Sequence, residues 1–281
     1  MIIEDKFVAS IDWNYESTHT GITVSISSKS IKACLNYIEA IKNALSQFII
    51  SDTSIYYNIL QYDNALLHET NYQDILELDF NPLATPFIKN VDQYIENFLN
   101  SKAPVLILQG EAGTGKTTFV KQILKVMQKQ ILQNRDLFKV TYSFDENIFY
   151  SSDFYKQLIF DDYDVQVYED INQVLHKNQD EEINPINKFL SVTDGLISKY
   201  KKIIITTNIE SKHQLNPALL RPGRCYDVIE FRKLEGIEID NLCDSCAKDL
   251  HLQTESINLS EFYAQRDGSQ NSQLISSRVG F

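Results

Sequence analysis

Cysteine, basic charge and long apolar runs are all scarce in this chain of 281 residues, and each shortage excludes a class of protein. Four cysteines are too few for a small domain held together by disulfides. The 26 Lys and Arg residues against 38 Asp and Glu residues give a net charge of −12, so we expect no broad basic face for nucleic acid. No apolar run has transmembrane length, and the first residues show no signal-peptide pattern. We therefore expect a cytoplasmic protein without a membrane partner.

Glycine is also scarce, yet three of the nine glycines fall within one stretch, residues 110–118. The stretch has the spacing G-x-x-x-x-G-K-T, follows the apolar run 105–108 and precedes a helical pattern of apolar residues. A strand, a glycine loop and a helix in this order bind phosphate, because the loop amides and the helix N-terminus point at the anion. We expect Lys116 to reach the β- and γ-phosphates of ATP, and the Thr117 hydroxyl to bind Mg²⁺. The residues assigned to nucleotide binding are Gly110, Glu111, Ala112, Gly113, Thr114, Gly115, Lys116, Thr117 and Thr118.

Two adjacent carboxylates, Glu169 and Asp170, come directly after the predicted strand Val165–Tyr168. In a doubly wound sheet, the carboxyl ends of the strands meet at the edge where ligands bind. We expect Glu169 to hold Mg²⁺, directly or through water, and Asp170 to orient or deprotonate the attacking water. A rival pair, Asp161 and Asp162, also follows an apolar segment and stays open as the alternative.

Three further polar residues are candidates for the same chemistry. Asn208 ends the predicted buried strand Lys202–Asn208, where its amide could hold water or the γ-phosphate between the loop and the carboxylate pair. Arg221 and Arg224 flank a Pro-Gly turn. An arginine from a neighbouring subunit can neutralise the charge of a phosphoryl-transfer transition state, although both arginines could equally be surface charges. Asp170, Asn208, Arg221 and Arg224 are thus the candidate catalytic residues.

The pattern of apolar residues divides the chain into three predicted parts. Residues 1–80 are predicted to form a small α+β domain, which is either partner- or substrate-facing or a preface specific to the family. A break between two prolines marks the next boundary, so that residues 81–234 form the core and residues 235–281 a short helical lid. The elements predicted in the first 99 residues are strands at 7–15, 20–27, 55–62 and 74–80 and helices at 31–48 and 85–99.

From about residue 81 to residue 235, these motifs together resemble the AAA branch of the AAA+ ATPases. Residues 110–118 are similar to Walker A and residues 165–170 to Walker B, although most AAA proteins end this strand with Asp-Glu rather than Glu-Asp. The reversed order and the run 215–224 resemble the subgroup of the mitochondrial complex III assembly AAA protein, whose membrane anchor we do not find in this sequence.

The resemblance implies a P-loop NTPase core of the α/β class, with a parallel sheet flanked by helices. It makes Asn208 a sensor 1 residue and Arg221 and Arg224 arginine fingers, while Arg266 and Arg278 are only nominal candidates for sensor 2. It further implies an ATPase that uses ATP and Mg²⁺ and forms a homo-oligomeric ring, a hexamer or a heptamer, which remodels or assembles protein partners.

Two other functions and one local role stay open from the sequence. A nucleic-acid-associated AAA+ motor or loader would need a basic inner face, which the net charge disfavours. A non-hydrolysing nucleotide switch or scaffold is compatible with the Glu-Asp order and with the absence of a clear sensor 2 arginine. Phe149 and Tyr150 lie where many AAA proteins carry an aromatic residue that grips a threaded chain, although such residues are more often part of the core.

Overall fold

The computed structural model of the chain divides into two units, Met1–Asp52 and Thr53–Phe281. In the first unit, β1 (Phe7–Tyr15) pairs antiparallel with β2 (Thr20–Ser28), and α1 (Ile31–Leu45) follows. These three elements agree with the strands and the helix expected from the sequence. The structure describes residues 7–15, 20–28, 30–45, 54–133, 137–177, 185–193, 201–247, 252 and 254–278.

A seven-stranded sheet is the centre of the second unit. Its strands are β3 (Ser54–Asp63), β4 (Leu66–Ile75), β5 (Val105–Gly110), β6 (Lys139–Ser143), β7 (Val165–Tyr168), β8 (Lys202–Thr207) and β9 (Cys225–Phe231). They lie in the order β4-β3-β6-β7-β8-β5-β9, and every neighbouring pair is parallel except β3 with β4. The predicted α/β fold around a parallel sheet is confirmed.

The helices of the second unit flank this sheet or follow it in the chain. They are α2 (Val91–Asn100), α3 (Lys116–Ile131), α4 (Ser152–Phe160), α5 (Pro185–Thr193), α6 (Ile237–Cys246) and α7 (Leu259–Arg278). Short strands β10 (Leu234–Glu235) and β11 (Ser256–Ile257) pair antiparallel next to the last two helices. No helix in the described part of the chain is both long and apolar enough to span a membrane.

The strands β5, β7 and β8 are buried along their whole length because helices cover both faces of the sheet. Successive side chains of β5 point to opposite faces, as the pleat requires. Val105 and Ile107 pack into one buried cluster, and Leu106 and Leu108 pack into the other. The second cluster contains Phe119 of α3, so the helix that follows the glycine loop is fixed against the sheet.

A third buried cluster lies mostly in the segment after residue 233, which the sequence predicted to be a lid. It contains Leu234 of β10, Leu242 of α6 and Phe262 of α7, together with Ala84 from a 3₁₀ turn at Pro82–Ala84. The elements after residue 233 therefore pack against one another within the second unit, and Ala84 ties them to the chain that precedes α2.

The first boundary lies elsewhere than the sequence indicated. We expected a separate domain up to residue 80, but the division between the units falls after Asp52. The reason is that β3 forms a parallel ladder with β6 from Tyr56 to Ile59, which makes the β3–β4 hairpin part of the central sheet. The hairpin and the sheet thus belong to one body.

Two element predictions before β5 are wrong. The strand expected at 74–80 is instead Leu66–Ile75, which pairs with β3 across a turn in which Asn64 and Ala65 both have positive φ. The helix expected from residue 85 begins only at Val91, where the Asn90 side chain accepts a hydrogen bond from an amide of the first turn.

Candidate functional site

The glycine loop lies between the end of β5 and the start of α3, as the motif requires. Gly110, Gly113 and Gly115 have φ values of +145°, +78° and +100°, which L side chains rarely adopt. Gly115 is the N-cap of α3, so the free amides of the first helical turn open towards the loop. Thr117 and Thr118 have exposed side chains on this turn. The backbone therefore forms a cradle suited to an anion.

Lys116 is buried and points back into this loop. Its ammonium donates to the carbonyl oxygens of Gly110 (2.6 Å) and Glu111 (2.9 Å) and to Asn208 Oδ1 (2.9 Å). Burial lowers the pKa of Lys116, while Asp170 and Glu169 oppose the shift. A phosphate in the cradle would supply the counter-charge that the carbonyl oxygens only partly provide.

Asp170 is joined to Lys116 through Asn208. The Asn208 amide donates from Nδ2 to Asp170 Oδ1 at 3.1 Å, while its Oδ1 accepts from Lys116. The backbone of Asp170 has a φ of +56°, and its amide donates to Thr206 Oγ1 at 2.9 Å. Three residues predicted from separate motifs, Lys116, Asp170 and Asn208, therefore lie on one hydrogen-bonded path.

Glu169 has the free oxygen that a metal site requires. Its Oε2 accepts from the Tyr142 hydroxyl at 2.6 Å, and its Oε1 is buried with no hydrogen-bond partner among the described residues. Burial and the bond to Glu169 raise the pKa of Tyr142 well above its usual value, so this hydroxyl stays a donor. An orphaned buried carboxylate oxygen fits Mg²⁺, which prefers oxygen ligands.

A metal here would need ligands beyond the protein. Within the described residues, no group of three or more His, Cys, Asp or Glu side chains could hold an ion. Mg²⁺ is commonly bound by one or two protein oxygens together with substrate phosphates and water. Glu169 and Thr117 fit this pattern, since Thr117 lies on the first turn of α3 and the charge of Glu169 acts on Lys116 of the same turn.

The two arginines lie at the opposite end of the sheet from the glycine loop. The Arg224 carbonyl accepts from the amide of Val105, the first residue of β5, whereas the loop begins at Gly110. At roughly 3.3 Å per residue, the two ends of β5 are about 17 Å apart. The Arg224 side chain donates to the Ala218 carbonyl at 3.2 Å, and Arg221 is exposed. Neither can serve the loop of its own chain.

The rival carboxylate pair lies before β7 rather than after it. Asp161 is the C-cap of α4, and its carbonyl accepts from the Lys201 ammonium just before β8 begins. Because β7 and β8 are parallel, this is the amino edge of the sheet, away from Glu169 and Asp170. The structure thus separates the rival pair from the phosphate loop.

Residues 106–233 match the model of the ATPase family associated with various cellular activities (AAA). These residues form an AAA domain. The match extends from β5 to the end of β9 and contains the loop, both carboxylates, Asn208 and both arginines. No curated protein matches the chain. The match supports an AAA+ ATPase in general terms, with a nucleotide as its ligand.

Asn172 belongs to the site of the AAA domain, although the sequence did not point to it. Its Oδ1 accepts from the Thr207 hydroxyl (2.9 Å) and from the backbone N–H of Asn208 (2.8 Å). Its Nδ2 donates to the backbone carbonyl of Asp170 (2.9 Å). Its position two residues after Asp170 was the one available signal. The side chain joins the ends of β7 and β8.

The lid contacts the phosphate loop of the AAA domain directly. The Ser260 amide donates to the Gly113 carbonyl at 3.0 Å, and a Cβ built on Gly115 would lie 2.6 Å from Leu259 Cδ1. The nominal sensor 2 residue Arg266 instead pairs with Asp267 and lies over the Tyr263 ring. The side chain of Arg278 lies outside the described residues.

The aromatic pair considered for a pore is divided between core and surface. Phe149 is buried and its ring packs against Phe154, Tyr168 and Phe189. Tyr150 is 51% exposed. Phe149 therefore cannot grip a threaded chain without leaving the core, and Tyr150 is the one of the two that has a free surface.

Proposed function

We propose that this protein hydrolyses ATP with Mg²⁺ as a ring-forming AAA protein that remodels or assembles protein partners. The observation that carries the proposal is the hydrogen-bonded path from Lys116 through Asn208 to Asp170 at the mouth of the loop. It joins a cation for phosphate, an amide and a carboxylate, which are the groups that phosphoryl transfer to water needs.

Each protein group on this path has a separate role. Bound Mg-ATP supplies the electrophilic phosphorus and the leaving group. Lys116 exchanges its contacts with loop carbonyls for contacts with phosphate oxygens. Asn208 holds Asp170 Oδ1, which leaves Oδ2, with no donor among the described residues, to accept a proton from the attacking water. Glu169 Oε1, which is buried without a hydrogen-bond partner among the described residues, and the Thr117 hydroxyl would hold the Mg²⁺ ion.

Substitution of the two carboxylate pairs tests the hydrolytic role. Asp170→Asn keeps the shape and the tolerance for positive φ, so it should bind ATP normally and hydrolyse it about 10²- to 10⁴-fold more slowly. Asp161→Asn is the matched control at the other edge of the sheet, and its turnover should stay unchanged. Loss of turnover in the control alone would place the reaction elsewhere, and equal ATP binding without hydrolysis in the wild type would favour the nucleotide switch.

The position of the two arginines supports the proposed ring. Since Arg224 and Gly110 are at opposite ends of β5, a finger can act only on the phosphates of an adjacent subunit. Arg221→Ala and Lys116→Ala should each be inactive alone, and mixing them should restore some ATPase activity. One type of junction in a mixed ring joins an intact loop to an intact finger.

Assembly is measured by light scattering with and without a slowly hydrolysed ATP analogue. We expect turnover per subunit to rise with protein concentration, because a higher concentration favours the assembled form. ATP that binds the assembled form should favour it further by mass action. A strictly monomeric protein whose ATPase activity is independent of concentration would remove the ring and leave two surface arginines. The number of subunits, six or seven, is read from the same measurement.

The partner class is proposed from the resemblance and from charge. The Glu-Asp order at 169–170 and the run 215–224 support the subgroup of the complex III assembly AAA protein, which favours a protein partner, here in the cytoplasm. The net charge of −12 disfavours the nucleic-acid motor. A DNA titration at two salt concentrations tests that alternative, since binding that weakens steeply with salt would support it.

A further inference from the structure

Glu146 lies on the segment between β6 and α4 and contacts the turn that follows the catalytic carboxylates. Its Oε2 accepts hydrogen bonds from three consecutive backbone amides, those of Asn172 (3.0 Å), Gln173 (2.9 Å) and Val174 (3.4 Å). No metal, phosphate or water role is needed to explain this carboxylate, because the amides satisfy it. The role of Glu146 must therefore lie in fixing the turn 172–174, whose amides it binds.

The turn that Glu146 holds determines the position of Asp170. Glu146 binds the backbone N–H of Asn172. The Asn172 side chain donates to the Asp170 carbonyl and accepts from the backbone N–H of Asn208. Asp170 itself has a φ of +56°. A non-glycine residue keeps such a conformation only when its surroundings fix it.

The segment that carries Glu146 is itself fixed to the edge hairpin. Asp145 Oδ2 accepts from the Tyr62 amide at 2.7 Å, and the Ser143 hydroxyl donates to the Leu60 carbonyl at 2.7 Å. Both partners are on β3, which lies beside β6 in the sheet. Glu146 begins the 3₁₀ turn Glu146–Tyr150, so it is presented to residues 172–174 from a turn anchored to β3 rather than from a free loop.

We propose that Glu146 is a positioning residue that holds Asp170 and Asn208 in the geometry required for hydrolysis. The inference rests on the proposed function, since it assigns Glu146 to the same ATPase site. Glu146 does not touch the nucleotide; it acts through the amides of 172–174 and the Asn172 side chain. Its loss should therefore affect turnover and leave nucleotide affinity unchanged.

The first test separates turnover from binding. Glu146→Ala should lower kcat about 10- to 100-fold, because a small displacement of a catalytic group has an effect of that size. The dissociation constant for a fluorescent ADP analogue should stay within about 2-fold, since the loop contacts of Lys116 are independent of Glu146. Glu146→Gln keeps one acceptor oxygen without the charge, so its kcat should be intermediate. The Gln variant carries the test if the Ala variant does not fold.

Ser151→Ala is the matched structural control on the same segment. The Ser151 hydroxyl accepts from the amides of Asp153 and Phe154 at the start of α4. Its removal loosens this cap without touching residues 170–174, so it should lower the unfolding temperature and leave kcat within about 2-fold. Equal loss of kcat in Ser151→Ala and Glu146→Ala would mean that Glu146 is only structural and would overturn the inference.

A double-mutant cycle with Asp170→Asn shows whether Glu146 acts through Asp170. Glu146→Ala should cause little further loss of the residual turnover in the Asp170→Asn background, because the group it positions has already gone. Full additivity would overturn the inference. Wild-type turnover in Asp170→Asn alone would instead defeat the proposed function, whereas slow Asp170→Asn with a fully active Glu146→Ala defeats this inference only.

Discussion

Three glycines with positive φ differ in what surrounds them, and alanine at each should have a different cost. A Cβ on Gly110 would lie 1.9 Å from the Phe231 carbonyl oxygen, which is backbone of the neighbouring strand β9. On Gly115 it would meet the end of the Leu259 side chain at 2.6 Å, and on Gly223 it would meet nothing within 4 Å. Gly223→Ala therefore measures conformational strain alone.

The expected magnitudes follow from these contacts. Strain at positive φ costs about 1–3 kcal/mol at each position. Gly115→Ala adds little, since Leu259 can change rotamer. In Gly110→Ala the strands β5 and β9 must separate by roughly 1.5 Å to bring the 1.9 Å contact to an ordinary 3.4 Å, and losing two ladder hydrogen bonds adds about 2 kcal/mol. Gly110→Ala should thus be at least about 2 kcal/mol less stable than Gly223→Ala.

Urea unfolding followed by far-ultraviolet circular dichroism, without nucleotide, measures this difference. About 2 kcal/mol corresponds to a midpoint roughly 1 M lower in urea. The order of midpoints should be Gly223→Ala, then Gly115→Ala close to it, then Gly110→Ala well below. Equal midpoints for Gly110→Ala and Gly223→Ala would refute the close approach of β9 to the loop.

Three further perturbations test separate parts of the structure. Tyr142→Phe removes the donor to Glu169 Oε2, so the Mg²⁺ concentration for half-maximal ATPase should rise several-fold while ADP binding in EDTA stays unchanged; an unchanged Mg²⁺ requirement would contradict this. Burial lowers the pKa of Lys202 to about 8, so the folded state loses this proton before the unfolded chain does. The wild type should therefore gain stability relative to Lys202→Met as pH rises from 8 to 10.5, and a parallel pH dependence of the two unfolding midpoints would be the contrary result. Phe149→Ala should cost about 3–5 kcal/mol in urea unfolding and Tyr150→Ala less than about 0.5, whereas similar costs would contradict the burial of Phe149.

The parts of the fold that sequence could predict are those whose pattern is local. The strands β5 and β8 contain the apolar runs 105–108 and 203–205, because both of their faces are buried, and the glycine spacing at 110–118 fixes the turn between β5 and α3. The strand β4 was not predicted at its observed position, for the opposite reason. Most of its side chains are exposed, so it has no alternation to mark it, and its ends depend on pairing with β3.

The residues of the candidate site that could be predicted are those whose side-chain type and position after a strand indicate their chemistry. Lys116, Asp170 and Asn208 follow apolar strands, and parallel strands bring their carboxyl ends to one edge. The hydrogen-bond partner of each side chain could not be predicted. The Tyr142 donor to Glu169 is on a different strand, and a tyrosine in a strand is ordinarily part of the core.

The contact of Glu146 shows why the supporting groups of a site are harder to predict than the catalytic ones. A catalytic residue must be of a particular type, so its identity restricts the sequence at that position. The partners of Glu146 are backbone amides, which every residue except proline possesses, so positions 172–174 record nothing of the contact in their side chains. The sequence shows only the acceptor, Glu146, which lies 26 residues from its first donor. A single glutamate in a predicted turn cannot be distinguished by sequence from a glutamate exposed to solvent. The hydrogen bonds that fix Asp170 in its positive-φ conformation therefore become visible only when the strands β6 and β7 are placed side by side.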